Sequence, residues 1–159
     1  TETVICGTPA GVGEPWFDSV ESVISHAAFS LGGVKGIEFG AGFAVADMKG
    51  SECNDPLRVS GGRIVTTTNN NGGINGGITN GMPIVFRCAV KPTPSIAQQQ
   101  DTVDFIKNEN TQLSIHGRHD PAIIRRICPV LDSVAALCVA DMLSLRYGTD
   151  VLTKGVDDK

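Results

Sequence analysis

Hydrophobic positions along the chain fall into two helical patterns and several short extended runs. Apolar residues recur at three- and four-residue spacing between Trp16 and Leu31, which predicts a helix that Glu14-Pro15 opens and Gly32-Gly33 ends. From Ile84 to Val90 apolar residues occupy every second position, which predicts a strand. Further apolar or β-branched runs predict strands at residues 4–6, 34–43 and 64–68.

A second helix is predicted in the last third of the chain. Asp120-Pro121 is a typical cap and first helical position, and Pro129 is expected to restart the helix. The segment 134–140 is apolar nearly all round, so we expect this helix to lie between two layers. The pattern ends at Gly148, and residues 149–159 are predicted to form a polar, frayed tail.

Two polar segments separate these elements. Residues 50–63, which contain Asn54-Asp55-Pro56 and Gly61-Gly62, are predicted to form a loop. Residues 97–114 are predicted to be a mobile loop or the edge of a hairpin. The predicted order is therefore strand, helix, strand, a glycine-rich segment, strand and helix.

Composition narrows the classes of function. A chain of 159 residues forms one ordinary domain, and its formal net charge of -4 excludes a general binder of nucleic acid or anionic membrane, which needs a broad basic face. Neither a signal peptide nor an apolar run of membrane-spanning length is expected. Aromatic residues make up only 5%, against a base-stacking surface, whereas 19 glycines indicate backbone brought close to a ligand or to other backbone.

The cysteines and histidines predict no metal site. No two of the five cysteines form a CxxC pair, and the three histidines lie far apart. We interpret the cysteines as reduced, core-filling thiols of a cytosolic protein. They are Cys6, Cys53, Cys88, Cys128 and Cys138.

The segment 69–81, the asparagine–glycine loop, contains ten Asn or Gly residues among 13. One interpretation is a flexible surface loop. The other is an ordered loop whose backbone N–H groups approach a planar or anionic ligand, and the regularly spaced Ile74 and Ile78 favour it. The loop has neither the GxGxxG pattern before a helix nor a GK[ST] ending, which excludes Rossmann and Walker sites.

Two further motifs carry ionisable groups. Lys91–Ser95 supplies an ammonium group and two hydroxyls directly after a strand, which suits a phosphate; a turn with a solvated lysine is the alternative. Gly117–Pro121 places Asp120 at a helix start, with Arg125 and Arg126 one turn on. Asp120 is either an N-cap beside solvated charges or the acid/base of an anion site clamped by arginines, and the two roles are compatible.

Several of these motifs resemble those of one family. Residues 69–84 (NNNGGINGGITNGMPI) closely resemble the glycine-rich signature of the chorismate synthases. The segments KPTPSI at 91–96 and GRHDP at 117–121 are similar to its two following signatures, in the same order. Upstream, GVGEPWF at 11–17 and VKGIEFGAGF at 34–43 are similar to the preceding segment of the family.

The resemblance extends from about Gly7 to Leu143 and implies a fold, a reaction and a cofactor. The implied fold is α+β, a β-α-β sandwich with helices packed between antiparallel sheets. The implied reaction removes phosphate and a ring hydrogen from 5-enolpyruvylshikimate 3-phosphate to give chorismate, with reduced FMN required although there is no net redox change. The family is cytoplasmic and tetrameric; whether the enzyme reduces its own flavin, by an NADP-linked step, or depends on an external reductase stays open.

Site residues follow from the resemblance by motif position. Arg118 and Asp120 fall near the flavin and the substrate, and Asp120 is the implied catalytic carboxylate that assists proton handling at the flavin. The implied flavin-contacting residues are Gly32, Gly33, Gly76, Lys91, Pro92, Thr93, Pro94, Ser95 and Arg118.

The chain also departs from the family pattern. Gly32-Gly33 replace bulkier residues, Asn71 stands where the family often has a smaller residue, and Arg125 stands where it often has proline. The N-terminal half of the family, with two catalytic histidines and arginine-rich substrate motifs, is not matched; none of the histidines here fits those motifs. We therefore expect residues 1–148 to be the C-terminal half of a chorismate synthase domain, inactive alone. The alternative is a non-catalytic module for FMN or phosphate binding or for oligomerisation.

Overall fold

The computed structural model describes residues 1–118, 120 and 122–155, which form a mixture of helices and antiparallel strands. The α+β class implied by the resemblance is thus confirmed. The strands are β1 (Glu2–Ile5), β2 (Val34–Phe39), β3 (Leu57–Ser60), β4 (Arg63–Thr66), β5 (Ile74–Asn75), β6 (Ile78–Thr79), β7 (Ile84–Val90), β8 (Gln100–Asp104) and β9 (Glu109–Leu113). The helices are α1 (Val20–Phe29), α2 (Gly50–Cys53), α3 (Ile124–Tyr147) and α4 (Val151–Lys154), with 3-10 turns at Trp16–Asp18 and Gly42–Asp47.

A three-stranded antiparallel sheet in the order β1-β7-β2 carries the core. Ile84, Phe86 and Cys88 of the central strand are buried, as their alternation predicts. They face α1 and α3, which pack on each other and supply most of the remaining buried side chains. The Thr3 hydroxyl of β1 donates to Asp132 Oδ1 of α3 at 3.0 Å, which ties the long helix to the sheet edge.

The first helix begins later than the sequence predicts. Ser19, not Glu14-Pro15, is its N-cap, because the Ser19 hydroxyl accepts the N–H of Ser22 at 3.0 Å. Val20, Ile24 and Ala28 form its buried stripe. Trp16 lies in a 3-10 turn before the cap with a side chain 83% exposed, so the prediction that it belongs to the apolar face is wrong.

The long helix α3 also differs from the prediction. The helix runs continuously through Pro129, so the prediction that Pro129 restarts a helix is wrong. Because proline has no N–H, one backbone hydrogen bond near the start of the helix is missing. Ile123 occupies the N-cap position without a side-chain cap, so Asp120 does not cap this helix. Leu131, Ala135 and four other residues of the helix are buried, but Leu137 and Leu145 are 70% and 81% exposed. Within the described residues only one face of α3 is covered, not two.

The expectation of no membrane-length apolar segment is wrong for α3. Its 24 residues contain an 18-residue window of mean hydropathy 1.7, enough to cross a bilayer by length and composition. The helix nevertheless contributes six buried residues to the core against α1 and the sheet, as a core helix of a folded domain does.

Both segments predicted as polar connections contain paired strands. Residues 50–63 hold α2, β3 and the start of β4, so the loop prediction there is wrong; Val59 opposite Ile64 gives the β3–β4 hairpin an exposed apolar pair. Residues 97–114 form the β8–β9 hairpin, the second of the two predicted alternatives. All five cysteines are free thiols, but only Cys88 and Cys138 fill the core as predicted, and burial raises the pKa of both. The core-filling prediction is wrong for Cys6, which is exposed, and for Cys53 and Cys128, which are partly buried.

Candidate functional site

A cleft of about 310 Å³ forms where the turn after α1 meets the segment that follows β7. It brings together two motif segments that are nearly sixty residues apart in the chain. Ile123, at the start of α3, closes one side. The lining residues are Gly32, Gly33, Lys91, Pro92, Thr93, Pro94 and Ile123.

Backbone pairing explains why these segments meet. β2 pairs with β7 so that Val34 lies opposite Val90, and the next residues in each direction are Gly33 and Lys91. The Lys91 N–H donates to the Gly33 carbonyl oxygen at 2.7 Å. Gly33 has φ +96°, and a Cβ there would lie 3.1 Å from Ile123 Cδ1, so both the backbone and the space favour glycine.

The polar groups of the cleft suit an anionic or hydrogen-bonding ligand. Thr93 Oγ1 is buried and has no hydrogen-bond partner among the described residues. Because a buried hydroxyl is normally paired, this atom is available to a ligand. Lys91 is exposed at the rim and Ser95, although partly buried, does not line the cleft.

Arg118 and Asp120 lie outside the lining of this cleft. Both are exposed, and Asp120 Oδ2 is 2.9 Å from Arg126 Nη1 on the first turn of α3. This ion pair places Asp120 beside the same helix start from which Ile123 closes the cleft. The neighbouring motif residues His119 and Pro121 lie outside the described residues.

Gly76 is separated from the cleft. It sits with Gly77 at the tip of the β5–β6 hairpin, both at positive φ as a two-residue turn requires; Gly76 is exposed, whereas Gly77 is buried against Ser19. The Val20 N–H at the start of α1 donates to the Gly77 carbonyl, whereas the cleft lies beyond the opposite end of this ten-residue helix. At 1.5 Å per residue the two ends of α1 are about 15 Å apart.

The asparagine–glycine loop is ordered, so the flexible-loop interpretation is wrong. Ile74 and Thr79 are buried, and the Thr79 hydroxyl both accepts the Val12 N–H at 2.9 Å and donates to the Pro9 carbonyl at 2.6 Å. At the other end of the loop, Asp55 accepts hydrogen bonds from Thr68, Asn70 and Asn71. The loop thus lies against its neighbours through defined bonds rather than free in solvent.

The structure shows two carboxylates with lowered pKa values, Asp55 and Glu38, that the sequence did not indicate as candidate site residues. Burial acts to raise the pKa of Asp55, but the hydrogen bonds from Asn71, Thr68 and Asn70 outweigh it and lower the pKa. The Phe43 N–H lowers the pKa of Glu38, against a smaller opposing effect of burial, and Arg87 Nε at 2.8 Å adds to the lowering. The turn signal Asn54-Asp55-Pro56 was visible, but nothing in it indicated a distant partner.

A second hollow, of about 430 Å³, lies between the start of α1 and the end of α3 and contains none of the predicted site residues. Its charged lining residues are Glu14, Asp18, Asp141 and Arg146. No cluster of three or more potential metal ligands occurs among the residues for which coordinates are described.

Comparisons with known proteins identify the family. A profile of the chorismate synthase family matches residues 1–144. The chain is 52% identical over 147 residues to the chorismate synthase of Methanosarcina barkeri, covering 92% of this chain and 40% of that protein. It is 53% identical over 153 residues to that of Chitinophaga pinensis, covering 96% of this chain and 46% of that protein.

Comparison with solved structures identifies the same family. A crystal structure of chorismate synthase matches with a TM-score of 0.74 and 30% identity, over 94% of this chain and 38% of that one. The chain therefore spans about two fifths of the length of the relatives that it matches. Over that span, the profile match and the sequence identities show that the chain belongs to the chorismate synthase family.

Proposed function

We propose that the chain is a segment of a chorismate synthase and forms one wall of its reduced-FMN site. The observation that carries this proposal is the cleft in which Gly33, Lys91 and Thr93 converge, since two motif segments that the family resemblance assigns to the flavin meet there. The reaction is the elimination of phosphate from 5-enolpyruvylshikimate 3-phosphate to give chorismate. This belongs to aromatic amino acid biosynthesis, and we propose a cytoplasmic location.

The residues of the cleft fit a flavin mononucleotide. Thr93 Oγ1 is a buried hydroxyl whose hydrogen-bonding capacity no described residue uses. The Lys91 ammonium group at the rim can neutralise phosphate charge, and the glycines present flat backbone that a planar ring can approach. When bound, reduced FMN supplies electron density that amino-acid side chains lack.

Asp120 is the proposed catalytic carboxylate, and Arg118 the proposed cation near the substrate. The contact of Asp120 with Arg126 supports this role, because an orienting ion pair holds the carboxylate at the end of α3 from which Ile123 reaches the cleft. In this role the carboxylate holds or moves a proton at Oδ1 or Oδ2, while Arg126 fixes the orientation of the carboxylate. The exposed fraction of both side chains is large, 49% for Asp120 and 77% for Arg126, so other parts of the full-length enzyme have to complete the site.

Gly76 and Ser95 do not line the cleft, although the family resemblance assigns both to the flavin. Ser95 is the residue after the cleft lining, and Gly76 lies at the opposite end of α1. A contact of Gly76 with the same flavin requires either that the ligand extend along α1 or that a second copy of the chain bring its hairpin to the cleft. The family's tetramer makes the second arrangement part of the proposal.

The exposed face of α3 supports the proposed β-α-β sandwich. Leu137 and Leu145 are apolar and mostly in water, and exposed patches of this kind usually mark an interface. The relatives are more than twice as long as the matched segment. We propose that a second antiparallel sheet, from the part of the enzyme that this chain does not span, covers this face.

A chorismate formation assay tests the proposal. The full-length enzyme, supplied anaerobically with reduced FMN and 5-enolpyruvylshikimate 3-phosphate, is expected to release chorismate and phosphate in equal amounts. The 159-residue chain alone is expected to release neither.

A second candidate function is a non-catalytic module for flavin or phosphate binding or for oligomerisation. It is favoured by the fact that the chain spans only about two fifths of the length of its relatives. Absence of turnover in the full-length protein would favour that module.

A further inference from the structure

The carboxylate of Asp55 accepts three hydrogen bonds from the start of the asparagine–glycine loop and a fourth from Thr68, the residue before it. Its Oδ1 accepts the Thr68 hydroxyl and the Asn70 N–H, each at 2.7 Å. Its Oδ2 accepts the Asn71 N–H at 2.9 Å and the Asn71 side-chain amide at 3.0 Å. Both oxygens are therefore used to fix residues 68–71, from a position outside the loop.

The loop start has little room to move. The Asn70 carbonyl accepts the Ala41 N–H at 2.8 Å, and a Cβ on Gly40 would collide with that same carbonyl oxygen. A Cβ on Gly72 would lie 2.5 Å from the Gly40 backbone nitrogen. Two stretches of backbone are thus in contact without intervening side chains, so a displacement of residues 69–72 cannot be absorbed locally.

A continuous set of bonds leads from this point to the hairpin that carries Gly76. Asn69 Oδ1 accepts the Gly73 N–H at 2.7 Å, and the Gly73 carbonyl accepts the Asn80 N–H at 3.0 Å. The hairpin between them then meets α1 through the bond from Val20 to Gly77. The position of Gly76 therefore depends on where residues 69–71 are held.

We propose that Asp55 is a positioning residue of the active site, which sets the location of the asparagine–glycine loop and of Gly76 relative to the flavin. This inference rests on the proposed function, because the flavin is the ligand against which the loop is positioned. Asp55 does not itself touch the cofactor in this role. It acts through the Asn70 and Asn71 bonds.

The variant Asp55→Asn tests the inference with little change of shape. An amide in this place can still accept at Oδ1, but its NH2 group would face the donors of Asn71, so two of the four bonds are lost. A matched control is Asp104→Asn. Asp104 Oδ1 accepts two consecutive backbone N–H groups, those of Ile106 and Lys107, at a hairpin far along the chain.

Hydrogen exchange of the full chain gives the first measurement. Asp55→Asn is expected to accelerate amide exchange at residues 70–81 roughly tenfold or more, because hydrogen bonds to a charged group are among the strong ones. Asp104→Asn is expected to leave that segment unchanged. Unchanged exchange at residues 70–81 in Asp55→Asn would overturn the inference. Should that variant not fold, Thr68→Val removes a single bond to Asp55 from an exposed side chain and is expected to give a smaller acceleration of the same segment.

Titration of the full-length enzyme with reduced FMN gives the second measurement. Asp55→Asn is expected to alter the absorbance spectrum of the bound flavin and to weaken its binding several-fold, whereas Asp104→Asn is expected to bind it as the wild type does. A normal flavin spectrum and affinity together with a loosened loop would show a purely structural role and overturn the inference. If the wild type itself binds no flavin, the proposed function fails and the positioning role with it, while the exchange result still decides whether Asp55 holds the loop.

Discussion

The Lys91 N–H donates to the Gly33 carbonyl oxygen at 2.7 Å, and this single bond joins the two motif segments that line the cleft. It extends the pairing of β2 with β7 by one residue beyond Val34 and Val90. The cleft is thus a direct product of the sheet register. A shift of one residue between these strands would separate Gly33 from Lys91.

Alanine substitutions at the two adjacent glycines, Gly32 and Gly33, are expected to change the free energy of unfolding by different amounts. Gly33→Ala should lower the free energy of unfolding by about 1–2 kcal/mol, because φ +96° strains any residue with a Cβ and Ile123 crowds the site. Gly32→Ala should change it little, since a Cβ there meets nothing within 4 Å. Urea denaturation of both variants measures the difference, and equal losses would contradict the geometry of this turn.

The two threonines Thr93 and Thr79 are expected to respond differently to replacement by valine. Thr79→Val should cost about 1–3 kcal/mol of unfolding free energy, because it leaves the buried Val12 N–H without its acceptor. Thr93→Val should cost much less, since Thr93 Oγ1 bonds to no described residue. Thermal or chemical denaturation distinguishes the two, and a comparable loss for Thr93→Val would mean that its hydroxyl is structural.

Asp120→Asn is expected to affect turnover and not folding. The exposed ion pair with Arg126 contributes less than about 1 kcal/mol, so stability should hardly change. In the full-length enzyme, loss of a proton-handling carboxylate should slow turnover roughly 100-fold or more with flavin affinity retained. Asp150→Asn, which breaks another exposed pair, with Lys154, is the control and should turn over normally. A large loss of flavin binding in Asp120→Asn would instead assign Asp120 to the architecture of the site.

Stability is expected to depend on acid through Asp55. Its folded-state pKa lies below the ordinary value of 3.8, so the stabilisation is fully present above about pH 3.8 and is lost as the pH falls through the folded-state pKa. Asp55→Asn should therefore cost about 1–3 kcal/mol at pH 7 and progressively less towards pH 2. Unfolding free energies of both proteins across this range test the sign. A difference that grows on acidification would contradict it.

Leu137→Lys is expected to be tolerated in the 159-residue chain and not in the full-length enzyme. The side chain is 70% exposed here, so the change in stability should stay within about 0.5 kcal/mol. If a second sheet covers this face, the buried charge should cost several kcal/mol in the full-length protein. Ser133 lies one turn before Leu137 on the same exposed face, so Ser133→Lys is expected to show the same difference between the two contexts. Equal tolerance in both contexts would contradict the proposed sandwich.

Strong periodicity allowed the core elements to be predicted from sequence. The alternation in Ile84–Val90 predicted the central strand, and the spacing of apolar residues predicted helix α1 with Val20 and Ile24 on its buried face. Ala28, the third buried residue of that helix, was not part of the predicted face. The motif order also led to the segments that form the cleft. These features depend on local patterning that tertiary structure reinforces.

Other features depend on partners that sequence cannot reveal. The β3–β4 hairpin is formed by side chains that stay in water, such as Val59 and Ile64, so no buried face marked it as a strand pair. Asp120-Pro121 has the residues of a helix cap, yet α3 begins at Ile124 and Asp120 pairs with Arg126 instead. Asp55 holds a segment thirteen to sixteen residues away, which no local rule indicates.

An anaerobic titration of the full-length enzyme with reduced FMN, followed by flavin absorbance, tests most directly whether the cleft holds the flavin; it compares the wild type with Thr93→Val. The wild type is expected to bind reduced FMN saturably, and Thr93→Val is expected to weaken this binding roughly tenfold, since it removes one hydrogen bond to the ligand worth about 1.4 kcal/mol. The exposed Thr111→Val on β9 should bind as the wild type does. Unaltered binding in Thr93→Val would contradict the claim that this cleft holds the flavin.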